Sequence, residues 1–91
     1  MHQKVNVGQN IKLNCPIEGF QIMYEWFKDG DKIDYTWPYY VTRKNILKIK
    51  SASFDDAGTF VCKGVNGFGK SQVNIELIVL GNELLTTYLF D

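Results

Sequence analysis

Apolar and polar residues alternate along most of this chain, in short runs separated by turn formers. Lys4-Val5-Asn6-Val7 alternates and stops at Gly8, which predicts a short edge strand. Residues 10–15 alternate more strictly, with Ile11, Leu13 and Cys15 on one face and Lys12 and Asn14 on the other, until Pro16 removes a ladder donor. The run from Ile22 to Phe27 puts Ile22, Tyr24 and Trp26 on one face, and Asp29-Gly30-Asp31 turns it. Ile33 opens a short strand, followed by an aromatic connection carrying Tyr35, Trp37, Tyr39 and Tyr40 and broken by Pro38. Leu47 and Ile49 face inward in the run 46–50. Asp55, Asp56 and Gly58 then form a corner, after which Phe60 and Cys62 share one face of a strand and Val61 and Lys63 the other. Asn66-Gly67 suits a two-residue hairpin turn in which both central residues take positive φ. Val73, Ile75, Leu77 and Val79 share a parity in the last run. No helical period of useful length interrupts this pattern, so the chain reads as an all-β antiparallel sandwich or barrel. Its expected core includes Leu13, Trp26, Leu47, Ile49 and Phe60.

Composition sharpens this picture in few places. The 91 residues suffice for one domain with a single modest core. That domain is expected over residues 1–80, with 81–91 a tail or the start of a linker. Ten basic and ten acidic residues balance, so whole-molecule charge predicts neither a nucleic-acid partner nor an acidic membrane. No apolar run approaches the roughly 18–20 residues of a membrane span, and Met1-His2-Gln3-Lys4 does not begin a signal peptide. The chain is therefore expected to be a fragment of a longer protein.

The spacing Cys15…Trp26…Asp56-Ala57-Gly58-Thr59-Phe60-Val61-Cys62 resembles the immunoglobulin fold. Val7-Gly8, Ile11-x-Leu13-x-Cys15-Pro16, Trp26-Phe27-Lys28-Asp29-Gly30 and Asn66-Gly67-Phe68-Gly69 are similar to its I-set class, found in cell-surface receptors, adhesion molecules and muscle proteins. Cys62–Gly69 and residues 73–80, with Cys15–Gly19 and Trp37, resemble the first immunoglobulin domain of fibroblast growth factor receptor-like proteins. The resemblance implies two Greek-key sheets pinned by a Cys15–Cys62 disulfide, with Trp26 packed on it. It also implies the extracellular part of a plasma-membrane protein. Two positions depart from the family. Phe60 stands where a tyrosine hydroxyl usually ties down the corner, and Tyr39-Tyr40-Val41-Thr42 stands where an arginine near the start of the fourth strand usually pairs with Asp56, Arg43 and Lys44 coming later than expected. Asp56 is expected to cap its own turn, with pairing to Arg43 or Lys44 as the alternative.

Catalytic chemistry finds no support in these residues. His2 is the sole histidine, Asp55-Asp56 is explained by the corner, and Gly64, Gly67 and Gly69 are assigned to the hairpin rather than to a phosphate loop. No cofactor or metal is expected. Contact surfaces are the better candidates. Met23, Glu25 and Phe27 should point outward beside Lys63 and Val65, and Tyr35, Trp37, Tyr39 and Tyr40 supply rigid aromatic area, although Trp37 and one tyrosine alternatively close the sandwich edge. Lys12, Lys48 and Lys50 should form a basic strip on the other sheet, for which the resemblance implies heparan sulfate as a ligand. The alternative there is a solvated face that discourages edge aggregation. The apolar tail is expected to pack against its own domain or a neighbouring molecule, the latter giving a dimer through the tail or an edge strand. The leading reading is an extracellular recognition module with a homophilic or heterophilic protein partner; the runner-up is a structural I-set module of an intracellular muscle-type filament protein.

Overall fold

The computed structural model describes residues 1–81. Eight strands form two sheets: β1 (His2–Asn6), β2 (Ile11–Asn14), β3 (Met23–Lys28), β4 (Asp31–Lys32), β5 (Tyr40–Val41), β6 (Ile46–Ile49), β7 (Gly58–Asn66) and β8 (Gly69–Leu80). One sheet has the order β1-β8-β7-β3-β4 and the other β2-β6-β5. All pairings are antiparallel except β1 with β8, which is parallel and begins at the His2–Glu76 pair. The edge strands β4 and β5 have only two residues each, which limits them as templates for a further strand. Of the tail expected to add such a strand, residues 81–91, all but Gly81 lie outside the described residues.

The alternation read from the sequence places the core. Ile11 and Leu13 from β2, Leu47 and Ile49 from β6, Phe60 and Cys62 from β7, and Ile75, Leu77 and Val79 from β8 are all buried between the sheets. Cys15 and Cys62 are bonded across the layers, with Cα atoms 5.9 Å apart. Trp26 is paired directly opposite Cys62 on the neighbouring strand, so the indole and the sulfur bridge fill adjacent positions in the same layer. Its Nε1–H is buried without a hydrogen-bond partner among the described residues.

Both turns of the five-stranded sheet are set by side chains as well as by backbone. Lys28 pairs with Asp31, leaving Asp29 (φ 49°) and Gly30 (φ 91°) as the central residues of a primed two-residue turn. The Asp29 carboxylate accepts the Thr59 amide at 3.0 Å and the Lys28 ammonium at 3.2 Å, and these bonds hold it below the usual carboxylate range. The second turn departs from the sequence expectation. Asn66 pairs with Gly69, so the central residues are Gly67 and Phe68 rather than Asn66 and Gly67, and neither has left-handed φ. The Asn66 side chain accepts the Phe68 amide at 2.9 Å, an Asx turn that takes over the reversal. Gly64 lies in a strand of this hairpin rather than in its turn, paired with Ser71, and a Cβ there would come within 2.9 Å of Ile17 and Ile22.

The corner before β7 shows how the missing tyrosine hydroxyl is replaced. A single 3-10 turn spans Phe54–Asp56. Asp56 closes it by accepting the Ser53 amide at 2.8 Å, as the capping expectation had it, and its other oxygen accepts the Tyr39 hydroxyl at 2.8 Å. The Tyr39 ring packs on Phe60 with centroids 5.7 Å apart, so a tyrosine from the connection ties the corner through the Asp56 carboxylate, where the family's corner hydroxyl bonds the backbone. Burial first, and the bond to Asp56 second, push this phenol well above its usual range. The folded protein therefore keeps that proton at pH values where the unfolded chain, titrating near about 10, has lost it, and stability falls as pH rises past that point. Tyr39→Phe is expected to cost about 1–2 kcal/mol at neutral pH, where a hydrogen bond to a partly exposed carboxylate is lost. It should also flatten the alkaline decline of the urea midpoint; an equally steep decline in the variant would refute the assignment.

Candidate contact surfaces

The register of β3, β7 and β8 builds the outer face of the five-stranded sheet. Met23 lies opposite Val65, Glu25 opposite Lys63 and Phe27 opposite Val61, and the next strand adds Lys70, Gln72 and Asn74 to the same rungs. The face is divided along its length. At one end Met23 is 76% exposed and Val65 stands beside it. In the middle, Lys32 Nζ meets Glu25 Oε2 at 2.9 Å, and this bond, with Lys63 behind it, lowers the Glu25 pKa. Lys63 Nζ sits 4.5 Å from the centroid of the Phe27 ring. Phe27 is half-buried under that ammonium, so the open apolar area is the Met23–Val65 rung. Cation–π and ion pairs at such exposed positions are screened by solvent and are weak enough for a partner to rearrange.

The aromatic connection divides as well. Tyr35 is 96% exposed and Tyr40 also stands in solvent, whereas Trp37 and Tyr39 are half-buried against the core. Trp37 lies 6.1 Å from Tyr39 between ring centroids. These two residues close the edge of the sandwich, the alternative weighed for them on sequence grounds.

The other sheet carries the cations. Lys12 and Lys48 are directly opposite, and Tyr40 continues the same rung on β5. A shallow groove runs between them, lined by Asn10, Lys12, Pro38, Tyr40, Lys48 and Lys50. Strands β2, β5 and β6 contain no acidic residue. No salt bridge among the described residues involves Lys12, Lys48 or Lys50. Like charges set opposite one another oppose sheet pairing by a few tenths of a kcal/mol up to about 1.

A further surface escaped the sequence reading. Phe20, 70% exposed, and Phe68, 89% exposed, project from two different loops. Asn66 ties those loops together, donating through Nδ2 to the Phe20 carbonyl at 2.9 Å while its Oδ1 accepts the Phe68 amide. The available signal was a phenylalanine beside glycine in each loop, Gly19-Phe20 and Gly67-Phe68-Gly69. Nothing in the local pattern links the two. Among the described residues no group of three or more His, Cys, Asp or Glu side chains could hold a metal ion, and no helix is long and apolar enough to cross a membrane.

Two sheets of five and three strands, bonded through Cys15–Cys62 with Trp26 against the bridge, define an immunoglobulin-like β-sandwich. The family model of the immunoglobulin I-set domain matches residues 1–79, and the chain belongs to that family. Fibroblast growth factor receptor-like 1 of Gallus gallus is 44% identical over 79 residues, which are 86% of this chain and 16% of that protein. Two solved structures bear on the fold alone. The neural ectodermal development factor matches with a TM-score of 0.83 at 21% identity, covering 91% of this chain and 41% of that one. An I-band fragment of titin matches with a TM-score of 0.72 at 21% identity, covering 88% and 30%.

Proposed function

We propose that this domain is a non-catalytic recognition module in the extracellular part of a cell-surface receptor or adhesion protein, and that it contacts a protein partner through the outer face of its five-stranded sheet. The observation that carries the reading is the Met23–Val65 rung, an exposed apolar pair at the end of a face whose next rung carries Glu25 and Lys63. Interfaces concentrate their energy in a few such apolar anchors ringed by polar groups. Similarity to a receptor-like protein supports the extracellular setting, as does a cross-layer disulfide, which persists in oxidising compartments. The setting is tested by titrating free thiols in protein from its native source: none is expected, and two reactive thiols would move the domain to the intracellular, titin-like alternative.

Met23→Gln with Val65→Thr should leave the thermal transition nearly unchanged, since both side chains are exposed and neither replacement adds a charge to the pair. Binding of the labelled domain to intact cells should fall by about tenfold or more, the loss expected when an anchor residue is removed. Unchanged cell binding would remove this face from consideration. Light scattering across a concentration series separates a homophilic partner from a heterophilic one. The cationic groove supports heparan sulfate as a second ligand, because Lys12, Lys48 and Lys50 line it together and strands β2, β5 and β6 hold no carboxylate. Retention on heparin at low salt should be lost on Lys48→Glu with Lys50→Glu, and absence of retention in the wild type would end that proposal.

A further inference from the structure

We propose that Asn66 is a site of spontaneous covalent modification, in which water converts its side-chain amide to a carboxylate and thereby severs the tie between the two phenylalanine-bearing loops. The reaction needs no enzyme and no redox partner. The Gly67 peptide nitrogen loses its proton and attacks Asn66 Cγ; the Cγ–Nδ2 bond breaks and ammonia leaves. Water then opens the five-membered imide at either carbonyl, giving aspartate or its β-linked isomer. One water enters and one ammonia departs.

Gly67 is what makes this position susceptible. Its φ lies outside the left-handed region, and a Cβ there would meet nothing within 4 Å. Neither the turn nor the packing therefore requires glycine at 67. Its consequence is that no side chain screens the attacking nitrogen. Asn10, Asn45 and Asn74 are each followed by isoleucine, whose branched Cβ shields the same nitrogen. The native hairpin restrains the reaction. Asn66 is the last residue of β7, paired with Gly69, and both ends of its amide are hydrogen-bonded. Ring closure must wait for local opening of the hairpin, so its rate follows the population of the opened state.

The product cannot restore the contact it replaces. A carboxylate still accepts the Phe68 amide but has no N–H for the Phe20 carbonyl, and two acceptor oxygens are left facing each other. The β-linked isomer also inserts a backbone carbon into the Asn66–Gly69 pair. Either product frees the Phe20 loop, next to the Met23–Val65 rung.

The test is to hold the folded domain at mildly alkaline pH and follow conversion at each asparagine by peptide mapping. Acid should appear at position 66 ahead of 10, 45 and 74, and several-fold more slowly in Gly67→Ala, which the open site accommodates without refolding. Asn66→Asp should speed amide hydrogen exchange in residues 19–22. Equal conversion rates in the wild type and Gly67→Ala, or unchanged exchange at 19–22 in Asn66→Asp, would overturn the proposal.

Discussion

Breaking the Cys15–Cys62 bond, by reduction or by replacing both residues with alanine, is expected to lower the unfolding free energy by about 4 kcal/mol. The bond closes a loop of 47 residues, and cross-linking a loop of that size removes conformational freedom chiefly from the unfolded chain. Small domains hold only about 5–15 kcal/mol in total, and at this size each kcal/mol moves the melting temperature by roughly 4–8 °C. The domain should therefore melt some tens of degrees lower in reductant. A urea midpoint that does not move when the bond is reduced would show that the two sheets are held by packing alone.

Trp26→Ala is the second large effect, at about 3–5 kcal/mol, because the neighbouring core cannot collapse fully into the space of an indole. Trp26 is 3% exposed and pairs with Cys62, so the cavity would open directly beside the sulfur bridge. Two consequences distinguish this site from an ordinary core position. The buried Nε1–H has no partner among the described residues, and a buried donor in that state opposes folding by about 1–3 kcal/mol. Trp26→Phe removes that donor while retaining a ring, so it should lose less than half of what Trp26→Ala loses. The tryptophan and the bridge also share neighbours, and their losses should not add when combined. Chemical denaturation of the two single variants and the combined one measures both points; strict additivity would place the indole and the bridge in independent parts of the core.

The candidate contact residues were legible to different depths. Met23, Glu25 and Phe27 follow from parity: once Trp26 points inward, its odd-numbered neighbours point outward, and the structure places them on that face. Parity says nothing about what lies over a residue, so the Lys63 ammonium above Phe27 appears only when β7 is paired with β3. The pairing of Lys12 with Lys48 likewise depended on knowing which strands neighbour each other. In the connection, alternation is lost around Pro38, and the sequence offers four aromatics without ranking them. Trp37 and Tyr39 turn inward because the edge beside Phe60 has room for them and Asp56 offers an acceptor for the Tyr39 hydroxyl.

Turn chemistry is the instructive miss. Asp29-Gly30 and Asn66-Gly67 are equivalent signals by composition, yet only the first becomes the centre of a primed turn. The Asn66 amide is drawn instead to the Phe20 carbonyl, 46 residues away, and to the Phe68 amide, and the reversal moves on by one residue.

What the chain determines by itself is which side chains face inward and that its segments are strands. Burial alternates with a period of two, and a local period can be read in order along the sequence. With only two cysteines and one tryptophan of matching parity, the composition of the inter-sheet layer followed from that reading once the family resemblance supplied the pairing. The tertiary structure decided everything that depends on a distant partner: the parallel seating of β1 on β8, the tyrosine that ties the corner, and the asparagine that ties two loops. Each of these satisfies a hydrogen-bonding group with one far away in the chain, and no local pattern encodes which distant group will be within reach.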